Sequence, residues 1–249
     1  MIEKSLKDLD LEEVIRQRGQ YTPSPAAWED QVLYFLMLDR FSDGNENGYR
    51  NNAGNLVTTG STPLFQPQDD GNAVKSEADA AVWREAGAEW VGGDLKGLTS
   101  KIGYLKRLGV TALWVSPIFK QISFQDTYHG YGIQNFLDID PNFGTREDLK
   151  TMVETAHEHG IYVILDIILN HTGHVFSYEP HRYWTDWEGK ELSEPDPRWD
   201  GHPYQVKGFN DSSGQPSLPF GSINLEDHPQ AWPDGAIWPA EFQETYHYS

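Results

Sequence analysis

The sequence predicts an α/β chain built on parallel strands, with its functional groups gathered at one end of them. Three observations carry this. Apolar runs rich in valine, isoleucine and leucine recur at 32–38, 111–116 and from 162 onward. The helical stripes between them stop at Gly109 and Gly160, immediately before a strand, so the helix-to-strand turns are short. The connections that follow the strands are long instead, an asymmetry that marks a β/α layout with function on the strands' C-terminal side.

Taken in order, residues 1–20 alternate charge with Leu6, Leu9, Leu11, Val14 and Ile15 at roughly helical spacing and predict an amphipathic helix ending at Gly19. Pro23 and Pro25 mark a linker. Val32 to Leu38 reads as a first buried strand with Asp39, Arg40 and Phe41 at its end, and 42–93 as a long loop region, functional or disordered at that length. Leu98, Ile102, Leu105 and Leu108 form one stripe of a helix stopped by Gly109. Thr111 to Ser116 is a second strand closed by Pro117, followed by a long loop over 118–144. Thr145 and Asp148 open the next helix with a capping box, and Leu149, Met152, Val153 and Ala156 form its stripe. The third strand begins at Tyr162 and has the composition of a strand buried on both faces. Asp166 places a charge where charge is costly, and Asn170, His171 and Thr172 end the run, which suggests an active-site floor. After Thr172 no helix–strand period resumes, and the remainder reads as a loop-rich excursion. An eight-stranded barrel takes about 250 residues, and three strands leave an open edge. The fold is therefore small and open or a piece of a larger barrel; the end at Tyr246-His-Tyr-Ser, with no closing element, favours the piece.

Over 249 residues the formal net charge is -19, which argues against nucleic acid or an anionic membrane as partner. The acidic excess suits hard cations and equally a merely soluble surface. There is no cysteine, hence neither disulfide nor thiolate chemistry. No run approaches the ~18 apolar residues of a membrane span, and the N-terminus has no signal-type apolar core. A cytoplasmic location is expected, although a secreted mature form would read the same. Several of the nine tryptophans (Trp184, Trp187, Trp199, Trp232, Trp238) fall in Gly-, Pro- and Asp-rich stretches. There they serve as loop anchors or as planes for sugar rings.

Three motifs could carry chemistry. Asp43, Asn45 and Asn47 place oxygens at alternate positions before Gly48, as a calcium loop or an ordinary Asn/Gly turn would. No EF-hand glutamate follows, so Asp94 is a candidate further ligand. Tyr128-His129-Gly130-Tyr131-Gly132 sets aromatics and a histidine beside glycines that admit a ligand, or simply pins a loop. His171 could be an acid/base group, a metal ligand or a donor. Asp166 could pair with an arginine, or with Asp39 as glycosidase carboxylates, and spacing does not decide between them.

Five segments in order complete the reading: Leu-Asp-Arg-Phe-Ser-Asp-Gly-Asn (38–45), Gly-Gly-Asp-Leu-Lys-Gly (92–97), Tyr-His-Gly-Tyr (128–131), Asp-Pro-Asn-Phe-Gly-Thr (140–145) and Asp-Ile-Ile-Leu-Asn-His-Thr (166–172). Together they resemble the alpha-amylase family of glycoside hydrolases from about Val32 to Thr172. The resemblance implies a partial TIM (β/α)8 barrel, its first three strands, with a loop-rich domain B after the third. Residues 1–31 would then be an N-terminal helix and linker, 32–172 the N-terminal part of the barrel, and 173–249 an incomplete domain B. It implies action on alpha-glucosidic bonds of starch-like glucans with retention, through a glycosyl-enzyme and two carboxyl groups about 5 Å apart. Tyr131 would stack on the sugar, His129 line the same pocket, and His171 donate a hydrogen bond to the sugar. Asp166 would be structural, ordering a neighbouring arginine. Calcium is the expected cofactor: Asn170 would ligate one ion between barrel and domain B, and Asp43, Asn45, Asn47 and Asp94 a peripheral one. The sequence departs from the family at Gly132 (often Trp), Asn135 (often Asp) and Ser222-Ile-Asn224 (often Asp-Leu-Asn). The family's catalytic carboxylates follow strands four, five and seven, so none is expected in this chain, which should be inactive alone. The expected partner is an alpha-glucan or maltooligosaccharide, with the C-terminal portion of the barrel as a further one. A non-catalytic glucan-binding module or half of a two-chain assembly are the alternatives.

Overall fold

In chain order, the computed structural model, which describes residues 3–16, 22–61, 76–179, 205–221, 223–231 and 237–244, contains α1 (Leu11–Arg16), β1 (Leu33–Leu36), α2 (Glu77–Ala86), α3 (Leu95–Ser100), α4 (Ile102–Leu108), β2 (Ala112–Val115), β3 (Phe119–Gln121), β4 (Ile133–Ile139), α5 (Arg146–Glu158), β5 (Tyr162–Leu165), β6 (Phe176–Glu179) and β7 (Gln205–Phe209). The scaffold is a parallel sheet in the order β1-β2-β5. Leu33 pairs with Ala112 and Ala112 with Tyr162; Leu36 pairs with Val115 and Val115 with Leu165. The strands therefore end level, which brings the residues after each of them to one rim.

Alternation along the strands divides the sheet into two faces. Leu36, Leu113 and Val115 are buried on one face, with Tyr34, Val163 and Leu165 packed beside them. They meet Leu95, Leu98, Ile102 and Leu105 from α3 and α4, Phe143, and Met152 and Ala156 from α5, in one core. The opposite face leaves Leu33, Phe35 and Trp114 exposed at 51%, 48% and 37%. The expectation of strands buried on both faces is corrected here: both crossovers cover the same side, and among the described residues the other side is covered only in part, where Trp28 meets Tyr162 with ring centroids 6.1 Å apart.

The helix expected over 98–108 is two helices. Asp94 caps α3 by accepting the Gly97 N–H at 2.6 Å. At the break, Asn52 of the long loop donates to Thr99 O at 2.9 Å and accepts the Gly103 N–H at 2.8 Å. One side chain thus serves the end of α3 and the start of α4. Leu98, Ile102 and Leu105 are fully buried, but Leu108, in the last turn, is 57% exposed and off the stripe. The predicted capping box of α5 is present, with Thr145 and Asp148 bonded reciprocally.

The N-terminal residues form no single amphipathic helix. Among residues 3–16, Ser5 and Asp8 close a separate 3-10 turn, Leu9 is extended, and α1 follows, with Leu6, Leu11, Val14 and Ile15 exposed; the expected end at Gly19 lies outside the described residues. The long loops hold structure that periodicity did not reveal: α2 in the first, and the antiparallel pair β3–β4 in the second. Beyond Thr172, β6 and β7 pair antiparallel. Val175, Phe209, Leu218 and Ile237 form a second core with Ile122, which follows β3. Trp238 donates its N–H to Gln134 O and accepts from Phe136 N–H, fastening the excursion to β4. Trp184, Trp187, Trp199, Trp232 and Ser222 lie outside the described residues. Among the described residues no helix is long and apolar enough to cross a membrane.

Candidate functional site at the strand ends

The site begins where β5 stops. The Asp166 N–H donates to Val115 O at 3.0 Å, which sets this residue at the sheet's rim. Its Oδ2 accepts the Tyr131 hydroxyl at 3.0 Å. Tyr131 arrives on the turn between β3 and β4, and that turn needs Gly130: its φ is +86°, and a Cβ would fall 1.9 Å from Pro117 O. The Tyr131 N–H donates to His129 Nδ1 at 3.0 Å, so Nδ1 must carry the lone pair. The two rings stack with centroids 5.7 Å apart and planes 28° off parallel. His171 Nε2 lies 3.3 Å from Tyr131 O, to which only an Nε2–H can donate. His129, Tyr131, Asp166 and His171, drawn from two loops, thus interlock.

Burial pushes the His129 imidazole below its ordinary value and favours the neutral ring that accepts from Tyr131. Burial raises the Tyr131 phenol, and the hydrogen bond to Asp166 and its charge raise it further. The phenol therefore remains a donor at neutral pH. Gly132 also has a packing reason: a Cβ there would fall 2.4 Å from Thr127 Cγ2. Asn135 is buried and accepts the Leu137 N–H at 2.8 Å.

Asp39 is held by the main chain and by Arg40. It is 1% exposed, accepts from the Val91 and Gly92 N–H groups at 3.0 Å, and pairs with Arg40 Nε at 3.2 Å. The contact between Arg40 and Tyr128 escaped the sequence reading: the Arg40 guanidinium carbon sits 3.9 Å from the Tyr128 ring centroid. Tyr128 lies within a recognised motif, but no sequence spacing pairs it with Arg40.

The candidate calcium ligands divide into three places. Asp43 accepts from Asn45 N and Nδ2 at 2.9 and 3.1 Å. These bonds, with the charge of Lys101, hold its carboxyl below the usual range. The Asp94 N–H donates to Ser42 O at 3.0 Å, so Asp94 meets this turn at the start of α3. The Asn47 Nδ2 donates to Gly60 O at 3.1 Å, and Asn170 stands exposed after β5. Carboxylate and amide oxygens at Asp43, Asn45 and Asp94 are the hard donors calcium takes. Among the described residues no group of three or more His, Cys, Asp or Glu could hold a metal, so such a site would depend on amide and backbone oxygens. A protein cation is already present: Lys101, 8% exposed, pairs with Glu46 at 2.7 Å and lies 3.3 Å over the Tyr49 ring.

Helical crossovers on a parallel sheet, with polar groups at its carboxyl ends, make this three strands of a β/α-barrel enzyme scaffold. The chain belongs to the alpha-amylase family of glycoside hydrolases: the model of the alpha amylase catalytic domain matches residues 35–203. An alpha-amylase of Streptomyces lividans is 48% identical over 99 residues, 37% of this chain and 11% of that protein. The periplasmic alpha-amylase of Escherichia coli is 32% identical over 173 residues, 65% of this chain and 22% of that protein. The chain thus spans about a fifth or less of the length of these relatives. Among solved structures, an Anoxybacillus alpha-amylase is 32% identical with a TM-score of 0.42, over 60% of this chain and 26% of that one. An alpha-amylase from Geobacillus thermoleovorans, solved with acarbose, is also 32% identical with a TM-score of 0.41, over 66% and 31%.

Proposed function

We propose that this chain supplies the sugar-gripping side of an alpha-amylase-type site acting on starch-like alpha-glucans with retention. The observation that carries the reading is the interlock of Tyr131, Asp166, His129 and His171 at the rim of the sheet. The Tyr131 ring offers a stacking face, held at its hydroxyl by Asp166 and at its backbone by His129. His171, exposed beside it, would turn its Nε2–H from Tyr131 O to a sugar hydroxyl, a bond that strengthens as the sugar ring flattens toward the transition state. Retention requires two carboxyl groups about 5 Å apart. Asp39 is held by main-chain bonds and Asp166 by Tyr131; following the family resemblance, the nucleophile and acid/base would come from barrel strands beyond these three. Asp43, Asn45 and Asp94 would hold a calcium ion, with Asn170 at a second one. Bound calcium supplies charge that fastens loops and takes no part in bond cleavage.

The test is titration of the chain with maltooligosaccharides in calcium buffer, by calorimetry. Millimolar binding, lost in Tyr131→Ala, is expected, together with no turnover of soluble starch. Absence of heat at millimolar sugar removes the binding role. Turnover abolished by His171→Ala would remove the claim that the carboxylates lie elsewhere.

A further inference from the structure

We propose that Arg40 is a positioning residue that clamps Tyr128 and through it sets the His129–Tyr131 stack; the inference rests on the sugar-site reading above.

Arg40 follows β1 in a 3-10 turn, and its guanidinium group makes three contacts. Nε meets Asp39 Oδ2 at 3.2 Å, Nη2 donates to Glu89 O at 2.9 Å, and the plane covers the Tyr128 ring at 3.9 Å. Asp39 is itself fixed by the Val91 and Gly92 N–H groups, so the cation has a rigid, buried counter-charge. Tyr128 is tied at its far end as well, its hydroxyl donating to Gly87 O at 2.8 Å. The ring is thus held between the end of β1 and the segment 87–92 that leads to α3. Its edge meets His129 with centroids 5.3 Å apart, and His129 stacks on Tyr131. The result is a row of three rings, Tyr128, His129 and Tyr131. One end is gripped by Arg40 and the other by Asp166.

The physical need for the clamp lies in the turn that carries the rings. Gly130 and Gly132 allow the close approach to Pro117 and Thr127, but glycine also leaves the backbone many conformations to lose. Fixing both ends of the row restricts the stacking ring before sugar arrives, which lowers the ordering cost of binding. Arginine suits this better than lysine, because a planar fork can satisfy a carboxylate and a carbonyl while stacking on an aromatic face. Asp39 joins the two candidate sites: the carboxylate that orients Arg40 also holds the Val91–Gly92 segment running into Gly93 and Asp94.

The clamp is read from the His129 ring protons by NMR, because two neighbouring tyrosine rings shift them, with maltooligosaccharide titration of the same samples. Arg40→Lys keeps a charge beside Asp39 and so preserves the fold, and Tyr128→Leu removes the ring while leaving the Arg40–Asp39 pair. Both should move the His129 signals toward random-coil values and weaken sugar binding about fivefold, the effect of one partly desolvated cation–ring contact of about 1 kcal/mol. Tyr128→Phe retains the ring under Arg40 and should restore most of the wild-type His129 shift, which a merely structural role for Arg40 does not require. His129 signals unchanged in both Arg40→Lys and Tyr128→Leu overturn the clamp. If wild-type protein binds no sugar, the function proposed above falls, and the His129 shifts still decide whether Arg40 sets the row of rings.

Discussion

At the scale of single residues the site depends on one protonation state. The bond from the Tyr131 N–H to His129 exists only while Nδ1 is unprotonated. Burial depresses the His129 value, so the folded state binds its proton less readily than the unfolded chain does. A depressed value contributes stability that is present above the ordinary histidine range, about 6.5, and is lost as pH falls through the lower folded value. Maltooligosaccharide binding should therefore hold at pH 7–8 and weaken only as pH falls below the ordinary histidine range of about 6.5, and His129→Gln should flatten that profile; an identical acid limb in the variant would assign the titration elsewhere. Tyr131→Phe tests the other end of the stack. It removes a hydroxyl–carboxylate bond and should cost about 1–2 kcal/mol in thermal or urea unfolding, with the ring still in place. The identities of these residues were legible in the sequence, because they sit in short motifs of polar and aromatic side chains. Their pairings were not: Tyr131 and Asp166 stand 35 positions apart, and nothing in either motif states who receives the hydroxyl.

At the scale of elements, local signals succeeded and long-range ones failed. The start of α5 was legible because Thr145 and Asp148 are three residues apart and satisfy each other. The break between α3 and α4 was not, because Asn52 causes it from about fifty residues away. The sequence stripe through Leu98, Ile102 and Leu105 runs straight across the break. Asn52→Ala should strand the Thr99 carbonyl and the Gly103 N–H together and cost about 2–3 kcal/mol, measured by urea unfolding. A loss below about 0.5 kcal/mol would mean that water replaces both bonds. Gly97→Ala tests the same junction from the other side. A Cβ at Gly97 would fall 2.0 Å from Ser42 O, so the loop carrying Asp43 and Asn45 must leave the start of α3. Calcium binding at Asp43, Asn45 and Asp94 should be lost in that variant even where the sheet survives. The β3–β4 pair escaped notice for a related reason. Its register is irregular between Phe119 and Gln121, and polar residues such as Gln134 and Asn135 interrupt the apolar pattern of β4, so no clean two-residue period is visible.

At the scale of the whole molecule, the apolar strands foretold a parallel sheet correctly but overstated its burial. Runs such as Val-Leu-Tyr-Phe-Leu specify strands with two apolar faces. They do not say whether the same chain covers both. In this structure α3, α4 and α5 cover one face, while Leu33, Phe35 and Trp114 stand open on the other, the last two edge to face at 5.3 Å. β1 and β5 are also the two edges of the three-stranded sheet. An open apolar face bounded by strand edges promotes association, and a net charge of -19 opposes it by self-repulsion. The balance should follow ionic strength, because salt shortens the screening length from about 30 Å at 0.01 M to about 8 Å at 0.15 M. Sedimentation velocity of the isolated chain should show a shift from monomer to larger species over that range, accompanied by binding of a hydrophobic dye. The double variant Phe35→Lys, Trp114→Lys should suppress both. It alters only the uncovered face and leaves the packed core of Leu36, Leu113 and Val115 in place, so far-ultraviolet circular dichroism should be retained. A wild-type chain that stays monomeric at every salt concentration and binds no dye would show that this face is not available in solution. The complementary result, suppression of dye binding when a polypeptide carrying further β/α units of the family is supplied, would identify the face as the seat of further barrel strands.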